Sequence, residues 1–152
     1  MTFFLPVLSM DKFSHEMQVG DSYEPLDIEI TPEYHQQYLY AAQDFDARYV
    51  NGVDGSPPEV HAAMILNLSS LTRSPSYKVA ENTGTVMGET ECQFFNPAFV
   101  GSTLHITYDV TETFEKRGRD YQTVTTEVSD GDGRIILKRH THVAIMLKEK
   151  PA

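Results

Sequence analysis

The residues best suited to acid–base chemistry lie in two short stretches near the middle of the chain. Asp44 and Asp46 stand two positions apart, and His61 follows at the edge of an apolar stretch. If both carboxylates were buried, their like charges would raise one pKa and leave a proton donor at pH 7. The alternative for each acid is an exposed loop carboxylate or a helix cap.

His61 is the most informative of the six histidines, because a helix is predicted to begin near it. The positive end of a helix dipole lowers the pKa of an imidazole and favours the neutral form, which a general base requires. The alternative is a helix-start residue that holds the neighbouring loop. His140 and His142 share one face of a predicted strand, but no third ligand stands at a recognisable spacing, so we expect no metal site.

The elements that position these residues follow from hydrophobic periodicity. Leu26, Ile28 and Ile30 alternate with polar residues, which predicts a half-buried strand. A short helix is then predicted to begin at Pro32 and to end near Gln43. Its apolar residues at helical spacing are Tyr34, Tyr38, Ala41 or Ala42, and Phe45.

A loop and a second helix are predicted next. Residues 44–58 contain several glycine and proline breakers, so they predict an irregular loop, and long loops are often functional. From residue 58 to residue 73 an apolar stripe recurs at helical spacing. It predicts a long, largely buried central helix with Val60, Met64, Leu68 and Leu71 on one face.

Strands dominate the rest of the chain. Alternating patterns predict strands at residues 91–95, 103–116, 119–129 and 134–147, and the last three should form a meander. One face of this sheet is apolar, and the central helix is the only candidate to cover it. The layout predicted is therefore an α+β domain with an antiparallel sheet around a long central helix.

Composition narrows the classes of function. The 152 residues, 40% of them hydrophobic, suit one globular domain with a real core. A net charge of −10 disfavours nucleic acid as a partner. It also slightly favours coenzyme A over an acidic carrier protein as the holder of an acyl substrate.

The sequence also bears on cellular location and on redox chemistry. No apolar run is long enough to cross a bilayer, and the first ten residues make a poor signal peptide, so we expect a cytoplasmic protein without membrane association. Cys92 is the one cysteine. It excludes an intrachain disulfide, and we expect it to be a small buried hydrophobic residue.

Residues 94–104, with the sequence FFNPAFVGSTL, resemble a turn of the MaoC-like (R)-specific enoyl-thioester hydratases and dehydratases. A hairpin tip of sequence KRGR and a final Asp-Gly turn follow it, and Val-Gly-Asp and Ile-Thr-Pro-Glu precede it, as in that family. The resemblance covers residues 19–148. It implies a hotdog fold at residues 19–150 after an N-terminal extension at 1–18, usually paired into a dimer with active sites at the junction.

The resemblance also assigns site residues. The family motif Asp-x-Asn-x-x-His corresponds to Asp44, Asp46 and Tyr49, and its His-Gly motif to His61 and Ala62. Asp44 is then the main acid or base. The second group is Tyr49 or His61, although a phenol is a poor base at neutral pH. The main-chain N–H of Ala62 or Ala63 would receive the charge that develops on the thioester oxygen.

What the resemblance implies about function is a hydratase or dehydratase that interconverts enoyl and 3-hydroxyacyl thioesters. The alternatives are a non-catalytic hotdog subunit that pairs with an active homologue, since Tyr49 replaces the family histidine, and a hotdog thioester hydrolase. No cofactor is expected beyond the coenzyme A or carrier-protein part of the substrate. Substrate-binding candidates are Asp46, Tyr38 and Phe45, with plain core packing as the alternative for the two aromatic residues. Partners expected are a second copy or another hotdog subunit.

Overall fold

The computed structural model describes residues 11–147 of the chain. The first ten residues of the expected N-terminal extension and the last three of the expected domain lie outside the described residues. Ser14 and Met17, in the described part of that extension, are buried, and Met17 belongs to the hydrophobic core. No helix in residues 11–147 is long and apolar enough to cross a membrane.

Five antiparallel strands form one sheet: β1 (Ser22–Glu29), β2 (Thr83–Phe94), β3 (Thr103–Lys116), β4 (Arg119–Ser129) and β5 (Ile135–Leu147). Their order in the sheet is β1-β3-β4-β5-β2. The predicted meander is confirmed as β3, β4 and β5. At its first turn, Arg117 and Gly118 have φ of 53° and 76°, as a tight two-residue hairpin requires.

The first helix, α1 (Pro32–Ala42), begins and ends where the sequence predicts. The Thr31 side chain caps it, and Gln43 takes the left-handed conformation at its end. The predicted apolar face is wrong, however. The buried residues of α1 are His35 and Leu39, whereas Tyr34 is exposed, Tyr38 is half-buried and Phe45 lies exposed beyond the helix.

The central helix is shorter than predicted. Two further helices, α2 (Ala47–Val50) and α3 (Ala62–Leu68), lie in the predicted loop and the predicted long helix, respectively. Residues 58–61 lie outside the helix, because the Val60 N–H donates to the Ala98 carbonyl at 2.8 Å and Glu59 pairs with Phe99. At the other end, the Arg139 guanidinium and the Ser69 hydroxyl both donate to the Leu66 carbonyl, which closes α3.

Strand β2 is longer than the predicted residues 91–95, because it pairs with β5 from Thr83 to Phe94. It is an edge strand, and its side chains are exposed over most of its length. Cys92 lies in it and is exposed, so the prediction of a buried cysteine is wrong. An alternating hydrophobic pattern does not reveal such a strand, because nine of its twelve residues are exposed and only the first three are half-buried.

The apolar face of the sheet is covered as predicted, although by a short helix. Met64, Ile65 and Leu68 of α3 are each at most 3% exposed. They join one core cluster with buried residues of β3 and β4, such as Ile106 and Val124. The hydrophobic effect of this burial is what holds α3, and hence the residues at its start, against the sheet.

Gly52, after α2, is required by close backbone packing. Its φ is 79°, and a Cβ atom there would lie 2.1 Å from the Ser56 carbonyl oxygen. Gly55 has a similar φ of 77° but open space around it. We therefore expect Gly55→Ala to cost about 1–2 kcal/mol of unfolding free energy from strain alone, and Gly52→Ala about 3 kcal/mol or more. Urea unfolding measures both, and equal costs would contradict this account.

Candidate active site

Asp44 and His61 form the centre of the site. The His61 Nε2 lies 2.9 Å from the Asp44 Oδ2, although the two residues are 17 positions apart in the chain. Asp44 Oδ1 also accepts the main-chain N–H of Asp46 at 3.2 Å. The pKa of Asp44 is lowered by the Asp46 N–H and, next, by His61. Asp44 is therefore an ionised carboxylate at neutral pH.

The hydrogen bonds of His61 determine which ring nitrogen carries the proton. Its Nδ1 accepts the Ala63 N–H at 3.1 Å, so this nitrogen is the unprotonated one. Nε2 then carries the proton and donates to Asp44. Both ring nitrogens are occupied in this arrangement, so His61 acts as the partner of Asp44 and has no free lone pair with which to act as a base.

His35 joins the same cluster from α1. Its side chain is buried, and its Nε2 accepts the main-chain N–H of His61 at 3.1 Å. Burial, and then the proximity of His61, lowers the pKa of His35. Sequence analysis missed this residue. The one available signal is that His35 precedes Leu39 by four positions, which places the two on one face of a helix.

Tyr49, on α2, is buried beside the pair. Its ring centroid lies 4.7 Å from that of His61 and 6.5 Å from that of His35. The Tyr38 ring approaches His61 from α1 at 5.3 Å. The structure thus brings together four of the residues singled out by sequence, Asp44, Tyr49, His61 and Tyr38, and adds His35.

Asp46 and Phe45 lie on the exposed side of the site. Asp46 is exposed and caps α2, since its Oδ1 accepts the Arg48 N–H at 3.0 Å. The possibility of a buried carboxylate pair is therefore wrong, and the pKa of Asp44 is lowered rather than raised. Phe45 is 52% exposed and packs edge-on against Tyr40.

Of the two candidate oxyanion donors, one is already used. The Ala63 N–H donates to His61 Nδ1 at 3.1 Å. The Ala62 N–H donates to no protein acceptor within residues 11–147, and Ala62 lines an open pocket. The arrangement therefore leaves Ala62 as the available main-chain donor.

Two pockets meet at Tyr49. One, of about 260 Å³, lies between α1 and α2, and none of its lining residues is charged. The other, of about 300 Å³, lies at the start of α3 and includes Arg48 and Ala62. Asp44 and His61 line neither pocket, but Tyr49 contacts His61 and lines both. The uncharged pocket is formed by Pro32, His35, Gln36, Leu39, Tyr40, Phe45, Tyr49, Val50, Pro58 and Val100.

His140 and His142 lie on one face of β5, as predicted. Each Nδ1 is hydrogen bonded to a threonine hydroxyl of β4, Thr125 and Thr123, respectively. In residues 11–147 no group of three or more His, Cys, Asp or Glu side chains could hold a metal ion.

The comparisons with known proteins bear on the fold. No family model and no curated protein matches the chain. Among solved structures, an R-hydratase from Pseudomonas aeruginosa is 19% identical with a TM-score of 0.69, covering 90% of this chain and 85% of its own. A MaoC-like dehydratase from Rhodospirillum rubrum is 18% identical with a TM-score of 0.66, covering 92% and 99%.

A monoamine oxidase regulatory protein from Archaeoglobus is 18% identical with a TM-score of 0.74, covering 91% of this chain and 96% of its own. Similar folds also occur in a fluoroacetyl-CoA-specific thioesterase and in the HadBC dehydratase complex from Mycobacterium tuberculosis. At these identities the likeness establishes the fold. The resemblance seen in the sequence is confirmed at that level, and the chain has the α+β hotdog fold of the MaoC-like hydratases and dehydratases.

Proposed function

We propose that this protein is a hydratase or dehydratase of acyl thioesters, which interconverts enoyl and 3-hydroxyacyl forms. The observation that carries the proposal is the hydrogen bond of 2.9 Å between His61 and Asp44, in a hotdog fold and beside an unpaired main-chain donor. The fold alone does not assign function. The support comes from a carboxylate held ionised at the position where the resembling family has its catalytic aspartate.

In the proposed reaction Asp44 is the general base. It takes a proton from a water molecule whose oxygen adds to C3 of the enoyl thioester. His61 keeps the carboxylate oriented through its Nε2–H, while Asp46 N–H holds the second oxygen. Each carboxylate oxygen retains a free lone pair for the water, and the side chain is 40% exposed, so water can reach it.

Tyr49 is the proposed second group. Its phenol donates a proton to C2 as the water adds, and the proton on Asp44 then restores the phenol. The Ala62 N–H is the proposed donor to the thioester oxygen, where negative charge develops. Coenzyme A or a carrier protein enters as part of the substrate, so the proposed reaction needs no bound cofactor.

The uncharged pocket supports an acyl substrate. Apolar and aromatic side chains predominate among its lining residues, including Leu39, Val50 and Phe45. Such a lining favours a hydrocarbon chain, because burying a charge there would be costly. The second pocket contains both the Arg48 guanidinium and the Glu59 carboxylate, and Arg48 lies 3.6 Å from Asp46, so this pocket favours neither sign of charge.

The direct test is an assay of the purified chain with enoyl-CoA thioesters of several chain lengths. Loss of the enoyl absorbance with formation of a 3-hydroxyacyl thioester, unaffected by a chelator, is the expected result. Formation of product only after a divalent ion is added would contradict the metal-free mechanism. Release of free thiol without hydration would instead identify a thioester hydrolase.

Thioester hydrolysis is the second candidate. It is favoured by one observation, that both nitrogens of His61 are occupied, so Asp44 is the single free base of the pair. One carboxylate that activates water is enough for hydrolysis. The similarity to a fluoroacetyl-CoA-specific thioesterase, with a TM-score of 0.58, is compatible with this candidate.

A hotdog partner is also proposed. Strand β2 leaves one edge unpaired in the described chain, and its Val86 and Met87 are 54% and 59% exposed. Exposed strand edges are normally covered, and solved structures of similar fold include two hotdog complexes of unlike subunits, HadBC and ChsH1-ChsH2. We propose that a second copy, or a related hotdog subunit, pairs with this edge.

We expect sedimentation velocity at micromolar concentration to give twice the mass of one chain. Val86→Glu should shift the protein towards the monomer, because it would replace an exposed apolar side chain beside Met87 with a charge. Val19→Glu is the control, since Val19 is 60% exposed and lies outside the strands. A wild-type protein that remains monomeric would count against a homodimer.

A further inference from the structure

We infer that His35 is a positioning residue for the Asp44–His61 pair, because its imidazole holds the main chain from which His61 reaches Asp44. This inference rests on the proposed function. It goes beyond it because neither the catalytic motif of the resembling family nor the sequence analysis includes His35. The juxtaposition is created by the fold, since the two histidines are 26 positions apart.

The first step of the argument is geometric. The Nε2 of His35 accepts the His61 N–H at 3.1 Å, and the His35 residue is only 3% exposed. His61 itself precedes the first residue of α3, with φ and ψ of −56° and 130°. The hydrogen bond from His35 on α1 therefore restrains the main chain of His61. The position of that main chain sets the direction of the His61 side chain, and hence whether its Nε2 reaches Asp44.

The second step concerns protonation. To accept the His61 N–H, the His35 Nε2 must be unprotonated, so the ring is neutral with its proton on Nδ1. A protonated His35 would present an N–H to another N–H, and the bond would be lost. The titratable groups near His35 are His61 at the start of α3 and Tyr49 on α2, and the Asp44 carboxylate lies beyond His61. Burial favours the neutral ring.

The third step is that the bonds form one continuous series. The Asp46 N–H holds Asp44, Asp44 receives the His61 Nε2–H, and the His61 N–H is held by His35. Each of these three hydrogen bonds holds the next residue of the series in place. Loss of His35 would leave the His61 N–H without its acceptor and would release the main chain from which the imidazole extends. The imidazole itself would then be held only by its hydrogen bonds to the Ala63 N–H and to Asp44 and by the neighbouring rings.

The test uses two substitutions of His35 in the full chain. His35→Gln offers an oxygen acceptor near the position of Nε2, and His35→Leu offers none. We expect His35→Leu to lower kcat by about 10–100-fold, since misplacing a catalytic group has effects of this size. KM is measured separately, because His35 also lines the uncharged pocket. His35→Gln should restore kcat to within about threefold of wild type.

The control is Gln37→Leu, an exposed position on α1 outside both pockets, which should leave kcat unchanged. Circular dichroism and thermal melting identify variants that fail to fold. Equal kcat for wild type and His35→Leu, or equal losses in the Leu and Gln variants that both fold, would overturn the inference.

Nuclear magnetic resonance of the imidazole nitrogens keeps the inference separate from the proposed function. In the wild type, His35 should appear as the Nδ1–H tautomer and His61 as the Nε2–H tautomer. In His35→Leu, the His61 Nε2–H resonance should lose the downfield shift caused by the bond to Asp44. An unchanged His61 resonance would overturn the inference even if the protein hydrates no thioester.

Discussion

Replacing Asp44 with asparagine is expected to lower turnover of enoyl or 3-hydroxyacyl thioesters by at least about a hundredfold. The substitution removes the ionisable group with almost no change in volume. The single amide oxygen of asparagine can still accept the Asp46 N–H, so the loop should keep its structure. Its NH2 group then faces His61, and the hydrogen bond from the His61 Nε2–H is lost together with the charge. Steady-state kinetics of both directions, with circular dichroism as a check on folding, measure the effect.

Asp46→Asn is the matched control for this substitution. It also removes a carboxylate, but Asp46 is an exposed cap of α2, a position that asparagine fills equally well. We expect a loss of no more than a few-fold. Similar losses in the two variants would show that net charge in the loop, rather than the carboxylate paired with His61, supports catalysis.

The lowered pKa of Asp44 adds a pH dependence with a defined sign. A carboxylate whose pKa is lower in the folded state stabilises the fold above its unfolded pKa, and this contribution is lost as the pH falls through the folded pKa. The same lowered pKa affects catalysis, because Asp44 can act as a base only when it is ionised. The acid limb of the kcat/KM profile should lie below the ordinary aspartate pKa of about 3.9. An acid limb near neutral pH would mean that another group is the base.

Replacing Tyr49 with phenylalanine is expected to reduce turnover almost as much as Asp44→Asn, by about a hundredfold. The ring stays in place against His61, at 4.7 Å, so only the hydroxyl is lost. A structural tyrosine would cost only a few-fold. The comparison is informative because the resembling family has a histidine at this position.

His61→Ala separates the remaining alternatives. If His61 acts only through Asp44, the double variant with Asp44→Asn should lose hardly more activity than Asp44→Asn alone. A large loss in His61→Ala together with a nearly silent Tyr49→Phe would instead make the imidazole the second catalytic group. If the chain alone is inactive but gains activity with a homologue that has both Asp and His, the partner-subunit alternative replaces the catalytic one.

Local patterns predicted the elements that local physics controls. The alternation in β1 and β3 predicted strands because a half-buried strand needs apolar residues at every second position. Thr31 and Pro32 predicted the start of α1 because one caps the helix and the other fits its first turn. By contrast, the end of α3 depends on a hydrogen bond from Arg139 of β5. The pattern of residues 58–73 cannot indicate this contact, because Arg139 lies far away in the chain.

The candidate site was likewise predicted only in part from the sequence. Asp44, Tyr49 and His61 could be named from the sequence, because a resemblance in motif assigned their positions. Their roles depended on the fold, since a hydrogen bond of 2.9 Å between Asp44 and His61 occupies the imidazole that the sequence suggested as a base. Asp46 likewise became a helix cap once its exposure was known.

By itself, the sequence determined an antiparallel α+β domain, the order of its strands along the chain, and a group of residues able to do acid–base chemistry. The tertiary structure alone decided that His35 supports His61, that Cys92 is exposed on an edge strand, and which face of α1 is buried. The physical reason is that hydrogen-bond partners and burial depend on contacts between distant segments. Periodicity indicates that a segment has one buried face, but it does not identify which distant residue a polar side chain will contact.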